Sequence, residues 1–122
     1  MPAPDWLEAA NNVESTLAYD LTYGQTTLTV QAADAASFPS LYPYRLTVWD
    51  FYAGADPGQD TGMEIVECTD RAGAVLTVVR GKELTSPVAH SAGEKVQLCV
   101  TAGLIQQLQE QIDALWAIVD AL

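Results

Sequence analysis

Three consecutive stretches decide the fold: Met63-Glu64-Ile65-Val66-Glu67-Cys68-Thr69, then Asp70-Arg71-Ala72-Gly73, then Ala74-Val75-Leu76-Thr77-Val78-Val79-Arg80. The first and last are rich in β-branched residues, and Asp70 and Gly73 between them are turn formers. The pattern predicts two antiparallel strands joined by a turn over 70–73. Outward from this hairpin, Arg45-Leu46-Thr47-Val48-Trp49 and Lys95-Val96-Gln97-Leu98-Cys99-Val100 read as further strands, as does Thr26-Thr27-Leu28-Thr29-Val30. From Val13 to Leu21 the residues alternate. Val13, Ser15, Leu17, Tyr19 and Leu21 share one face of an extended chain, while Glu14, Thr16, Ala18 and Asp20 share the other. With Tyr23-Gly24-Gln25 as a turn, 13–21 and 26–30 are expected to pair as a second hairpin.

The intervening segments carry breakers. Residues 32–44 include Ser37-Phe38-Pro39-Ser40 and Pro43, and no regular structure is expected there. Residues 50–62 are punctuated by Gly54, Pro57, Gly58 and Gly62, and residues 81–93 hold Pro87 and His90. Short strands separated by turn signals predict a mainly β fold, an antiparallel β-sandwich or small barrel. This β-rich domain is assigned to residues 12–100. Before it, residues 1–11 form an arm in which Pro2 and Pro4 disfavour helix at the residues preceding them, with room for one helical turn through Trp6-Leu7-Glu8-Ala9-Ala10.

The character changes at Thr101. From Leu104 to Leu122 there is no Gly or Pro, and Ile105, Leu108, Ile112, Leu115, Val119 and Leu122 are spaced 3, 4, 3, 4, 3. Residues 101–122 therefore read as a C-terminal α-helix with heptad phase: Ile105, Ile112 and Val119 at position a, and Leu108, Leu115 and Leu122 at position d. Thr101 is a candidate N-cap, and Gly103 is expected to weaken the first turn. A helix that packs on its own domain shows a broader stripe with drifting phase, whereas this phase is held for about two and a half heptads, as a coiled coil requires. Ile or Val at a with Leu at d suits a parallel dimer. Apolar Leu104 and Ile118 at g, and Trp116 at e, widen the stripe toward three helices. Residues alone lean only slightly to the trimer. The expected self-association surface is Leu104, Ile105, Leu108, Ile112, Leu115, Val119 and Leu122.

Charge narrows the partners. The 122-residue chain has 16 acidic and 5 basic residues, a net charge of -11, with Arg45, Arg71, Arg80, Lys82 and Lys95 scattered. Nucleic acid is not an expected partner, nor is an anionic membrane surface, and no apolar run is long enough to insert in a bilayer. The first residues lack the basic and apolar regions of a signal peptide, so synthesis in a reducing cytoplasm is expected. Cys68 and Cys99 are then expected as free thiols on strands, without zinc-site spacing.

No enzymatic constellation stands out. His90 is the only histidine and has no Cys or Asp at ligand spacing, so it reads as a structural residue hydrogen-bonding the loop backbone. Asp56, Asp60 and Glu64 are four residues apart but match no EF-hand. Arg80-Gly81-Lys82 lacks the glycine and hydroxyl residue of a P-loop, no Gly-x-Ser-x-Gly occurs, and no carboxylate pair is marked out for glycoside hydrolysis. No catalytic, cofactor or metal residue is therefore assigned. Phe38, Tyr42, Tyr44, Trp49, Phe51 and Tyr52 fall close together, chiefly as core and loop packing. Trp6, on a Pro-flanked arm, is the better candidate for docking to a partner.

Two stretches resemble a β-rich attachment module of tail-fibre, head-fibre and baseplate-associated proteins of tailed bacteriophages. One runs from Glu64-Ile65-Val66-Glu67-Cys68-Thr69 through Leu76-Thr77-Val78-Val79-Arg80-Gly81-Lys82-Glu83 and Ala89-His90-Ser91-Ala92-Gly93 to Val96-Gln97-Leu98-Cys99-Val100-Thr101-Ala102-Gly103-Leu104. The other is Asn11-Asn12-Val13-Glu14-Ser15-Thr16-Leu17-Ala18, followed by the Thr-Leu-Thr-Val strand leading to Phe38-Pro39. The most specific signal is an order: a strand ending in Arg-Gly, a loop with Ala-His, a Gly, then a strand running into Thr-Ala-Gly. Leu84 departs from the pattern, standing where similar modules often carry Gly. The resemblance implies a non-enzymatic structural protein of the virion, assembled in the host cytoplasm as a homotrimer that attaches to other tail, baseplate or capsid proteins. With no shaft or tip domain after the helix, it implies a connector or short fibre. The alternative is a receptor- or glycan-binding module using the aromatic loop from Tyr42 to Tyr52.

Overall fold

The computed structural model describes residues 7–10 and 13–122. Its elements are β1 (Glu14–Thr16), β2 (Thr27–Thr29), a 3-10 segment (Ala32–Ser37), β3 (Tyr44–Trp49), a 3-10 turn (Pro57–Gln59), β4 (Glu64–Ala72), β5 (Val75–Lys82), β6 (Lys95–Gln97) and α1 (Ala102–Asp120). The strands form one six-stranded antiparallel sheet in the order β1-β6-β3-β4-β5-β2. It curls into a half-barrel whose two edges touch at a single bridge, Leu17 with Val30. Of the two expected architectures, sandwich or small barrel, the fold comes nearer the second: one sheet wrapped on itself. A physical reason lies in β4, whose pairing with β5 shifts register between Ile65 and Glu67 and again between Cys68 and Asp70. Such irregularities increase local twist and bend a strand.

Curling sends alternate side chains to a shared concave core. Leu46 and Val48 from β3, Val66 and Cys68 from β4, Leu76 and Val78 from β5, and Val96 from β6 are all buried there. Ile65 and Glu67 of β4 and Val75, Thr77 and Val79 of β5 face outward. Of the clustered aromatics, Phe38, Tyr44 and Trp49 are buried, Tyr42 stacks on Tyr44, and Phe51 and Tyr52 are exposed.

The central hairpin forms as expected, with a tighter turn. β4 continues through Ala72, leaving Gly73-Ala74 as a two-residue loop, with Gly73 at φ 60. The other expected hairpin does not form. β1 pairs with β6 and β2 with β5, so the two lie on opposite edges of the sheet and meet at the Leu17–Val30 bridge, beside which Gln31 bonds Ser15 and Thr16. The alternation from Val13 to Leu21 still marks the inward residues, except Tyr19, which is exposed where the chain bends after Leu17. Between 32 and 44 the alanine-rich run winds into a 3-10 segment, a correction to the expected irregular connection, and buries Ala35. β6 stops at Gln97, short of the expected Val100; Leu98 extends its pairing beside β1 by one bond, its N–H donating to Val13 O. In the arm, Leu7–Ala10 adopt no helical turn. Trp6 lies outside the described residues.

After β5 the chain reverses through Lys82-Glu83-Leu84-Thr85, closed by Thr85 N donating to Lys82 O. Both central residues have positive φ, 54 at Glu83 and 67 at Leu84, as in a type I′ turn. Leu84 is fully exposed, so nothing packs against it to offset a left-handed backbone that disfavours a residue with Cβ. Leu84→Gly is expected to stabilise the fold by ~0.5–1 kcal/mol, the relief of strain less the added unfolded-state entropy of Gly. A urea midpoint that rises at unchanged m-value would verify this.

Candidate functional site

The helix leaves the domain with its apolar stripe uncovered. Thr101 caps it, its Oγ1 accepting from Leu104 N, and no residue of α1 is buried. Ile105, Leu108, Ile112, Leu115, Trp116, Ile118, Val119 and Leu122 are all exposed, and Leu104 is half-buried. From residue 108 onward only Gln111 is less than exposed. The helix does not fold back over its sheet. Its charged residues, Glu110, Asp113 and Asp120, fall at heptad positions f and b, away from the seam. The anticipated interface residues thus share one continuous, uncharged, solvent-facing strip.

The root of the helix is held firmly. Glu83 Oε2 pairs with Arg45 at 2.8 Å, and Arg45 also pairs with Glu67 at 3.0 Å. The other oxygen of Glu83 accepts the N–H of Gly103 in the first turn of α1, where orphan amides and the helix dipole favour a carboxylate. Gly103 is required by this clasp. A Cβ there would lie 2.6 Å from the Glu83 carboxyl carbon, which Arg45 holds in place. The glycine expected to weaken the helix instead admits the group that anchors it. On the other side Leu7 N donates to Gln107 Oε1 at 2.8 Å, and Glu8 N donates to Pro43 O at 2.7 Å.

Deeper in the domain lies a buried ion cluster. Glu64, at the start of β4, is 0% exposed. Arg80 approaches it with two nitrogens, Nε to Oε2 and Nη2 to Oε1, each at 2.8 Å. Gly81 N and Val88 N also donate to it, at 2.9 and 3.2 Å. His90 Nε2 lies 2.9 Å from Glu64 Oε1, and its Nδ1 lies 2.9 Å from Glu94 Oε1. Since both ring nitrogens face carboxylates, both carry protons. The ring of His90 therefore bonds carboxylates, not the loop backbone as anticipated; its backbone pairs with Leu21. Arg80 spends its remaining donors on the carbonyls of Thr22, Gln25 and Val88.

These contacts set the protonation states. Burial by itself pushes Glu64 up, but the hydrogen bonds from Arg80, His90, Gly81 and Val88 outweigh it and hold the carboxyl at about 2. Burial pulls His90 down, but bonding to Glu64 and Glu94 overrides it and raises the imidazole above its ordinary value. Two carboxylates face two cations, so the cluster is balanced.

Other residues singled out in the sequence have separate tasks. Asp56 accepts from Gly58 N, and Asp60 accepts from Asp50 N and Gly62 N. With Glu64 in the core, these three carboxylates do not converge. Gly81 has φ 60, and a Cβ there would meet Pro87 at 2.7 Å. Cys68 and Cys99 are free thiols, both pushed up by burial; Cys68 lies on β4, while Cys99 lies just beyond β6, not on a strand. Glu64, Arg80 and Glu83 organise the site, although nothing in their local sequence marks them as functional. The signal available was the order Arg-Gly, Ala-His and Thr-Ala-Gly: the Glu64 cluster joins the first two, and the Glu83 clasp reaches the third. No family model matches this chain, and no curated protein matches it significantly.

Two outcomes test the cluster and the clasp. Glu64→Gln removes a buried countercharge and should cost ~3–5 kcal/mol in urea unfolding. In the parent, the contribution of His90 is fully present below its unfolded value near 6.5 and is lost as pH rises through the raised folded value. That of Glu64 is present above 4.5 and lost as pH falls toward about 2. Stability should therefore decline on both flanks, and His90→Gln should flatten the alkaline one. For the clasp, Gly103→Ala should destabilise the parent yet stabilise a Glu83→Ala background by up to ~1 kcal/mol, the helix preference for Ala over Gly. The reversal is read from thermal unfolding.

Proposed function

We propose that the chain is a non-enzymatic structural protein of a tailed-phage virion, a trimeric connector or short fibre that docks onto other virion proteins. The observation that carries this reading is the exposed apolar seam from Leu104 to Leu122, with charge confined to the opposite side of the rod. A soluble chain that holds so many large apolar residues in water gains by covering them. Heptad phase makes copies of the same helix a fitting cover. Apolar Leu104, Trp116 and Ile118 at the flanking positions, and the resemblance to fibre-attachment modules, favour three chains over two. Attachment is multivalent: three weak contacts with a virion partner, once tethered, bind much more tightly than one. Trp6 is proposed for that contact.

A second reading is supported by the exposed Phe51–Tyr52 pair, with ring centroids 4.3 Å apart. The pair borders a cleft of about 370 Å³ with Asp50 and Ser91–Glu94. It follows the C-terminal end of β3, whereas the Pro43–Glu8 contact beside the helix root lies at the other end. Such a surface suits a receptor or glycan. Glycan-array binding abolished by Tyr52→Ala would favour this reading, and a blank array the connector.

Light scattering tests the main proposal. The full chain is expected at three times its monomer mass and a chain lacking residues 104–122 at the monomer mass. Ile112→Asp should dissociate the full chain while leaving the β-domain folded. An unchanged mass after truncation would mean that the β-domains hold the assembly.

A further inference from the structure

We propose that the groove between the root of α1 and the outer face of β3 and β4 seats the same root from a neighbouring copy, making the assembly parallel and in register; this rests on the helix-driven association proposed above. The groove holds about 410 Å³ and is lined chiefly by Thr47, Met63, Ile65, Val100, Thr101 and Ala102. Extending the heptad backward from Ile105 puts Thr101 at d and Ala102 at e. At 100° per residue these positions flank a, so the groove opens at the foot of the Ile105–Leu108–Ile112 stripe. Thr101 and Ala102 thus place one wall of the groove at the N-terminal end of the helix that carries the seam.

Charge selects the occupant. Each copy carries a net charge of -11 and repels its neighbours. Among the described residues, the one charged residue lining the groove is Glu83, whose carboxylate is already bonded to Arg45 and to Gly103 N. This is where two acidic copies can approach closely. Val100, 74% exposed, borders the groove without being covered by its own chain. Paired helices pack about 8–10 Å apart. A copy laid along the seam in parallel register therefore brings its own Val100–Leu104 over the groove. An antiparallel copy would bring Asp120, a carboxylate that an apolar groove penalises. The groove also answers a deficit, because two and a half heptads alone are marginal in water.

The test uses the full chain in two variants. Val100→Glu, at an exposed position that should leave the β-sheet circular dichroism unchanged, is expected to weaken self-association by about tenfold or more in a light-scattering concentration series. In a Cys99→Ser background, Val100→Cys is expected to form disulfide-linked pairs of chains on mild oxidation, because in-register roots face one another. If Val100→Glu associates like the parent, or if no linked pairs form, the groove is not the seat and the seam reading survives. If the parent itself is monomeric at every concentration, the seam reading fails and takes this proposal with it.

Discussion

The carboxylate of Glu64 has no contact with water, so its charge must be answered inside the protein. Answering it uses two side chains and two backbone amides: Arg80 at the end of β5, His90 in the loop before β6, and the amides of Gly81 and Val88. The partners come from two segments distant from Glu64 in sequence, residues 80–81 and 88–90. This buried carboxylate thereby fixes the start of β4, the end of β5 and the path of residues 88–94. Arg80 extends the constraint through its bonds to the carbonyls of Thr22 and Gln25, which tie down the approach to β2. A half-barrel of short strands has little core to spare, and this network defines the end of the sheet where hydrophobic packing alone is thin.

The same stretch governs the helix. Arg80 faces inward to Glu64, and three residues later Glu83 faces outward to Arg45 and Gly103. The turn between them carries two residues with positive φ. A strand end locked from inside thus presents a carboxylate at a fixed point outside, and α1 starts from that point. The rod is consequently aimed by the β-domain even though no residue of α1 is buried against it. Strain at Leu84 fits this arrangement, since the turn must hold Glu83 in place whatever residue follows.

Much of this was legible in the sequence. Alternation identified inward residues between Val13 and Leu21, β-branched content and turn residues identified the β4–β5 hairpin, and heptad spacing with a capping threonine placed α1 to within two residues. Pairing partners were less legible. Residues 13–21 and 26–30 are neighbours in sequence with a turn between them, yet they end on opposite edges because β6 and β5 offer longer-range partners that local pattern does not encode. The ion cluster was invisible for a related reason: Glu64 reads as a polar residue at a strand start, and only the fold brings it within reach of Arg80 and His90. Gly103 was misjudged because helix propensity is local, whereas the carboxylate that fills its empty side is twenty residues away. The alanine-rich run at 32–36 forms its 3-10 segment ahead of the breakers Pro39 and Pro43, which mark only where regular structure ends.

The sheet's outermost strands, β1 and β2, are three residues each, and their continuations touch at Leu17 and Val30. Little unpaired ladder is left for a stranger's backbone to join, which is how natural β-proteins resist stacking side by side. Copies of this domain can therefore be crowded together without zipping into a fibril. Short, mutually bridged edges thus disfavour growth by sheet extension.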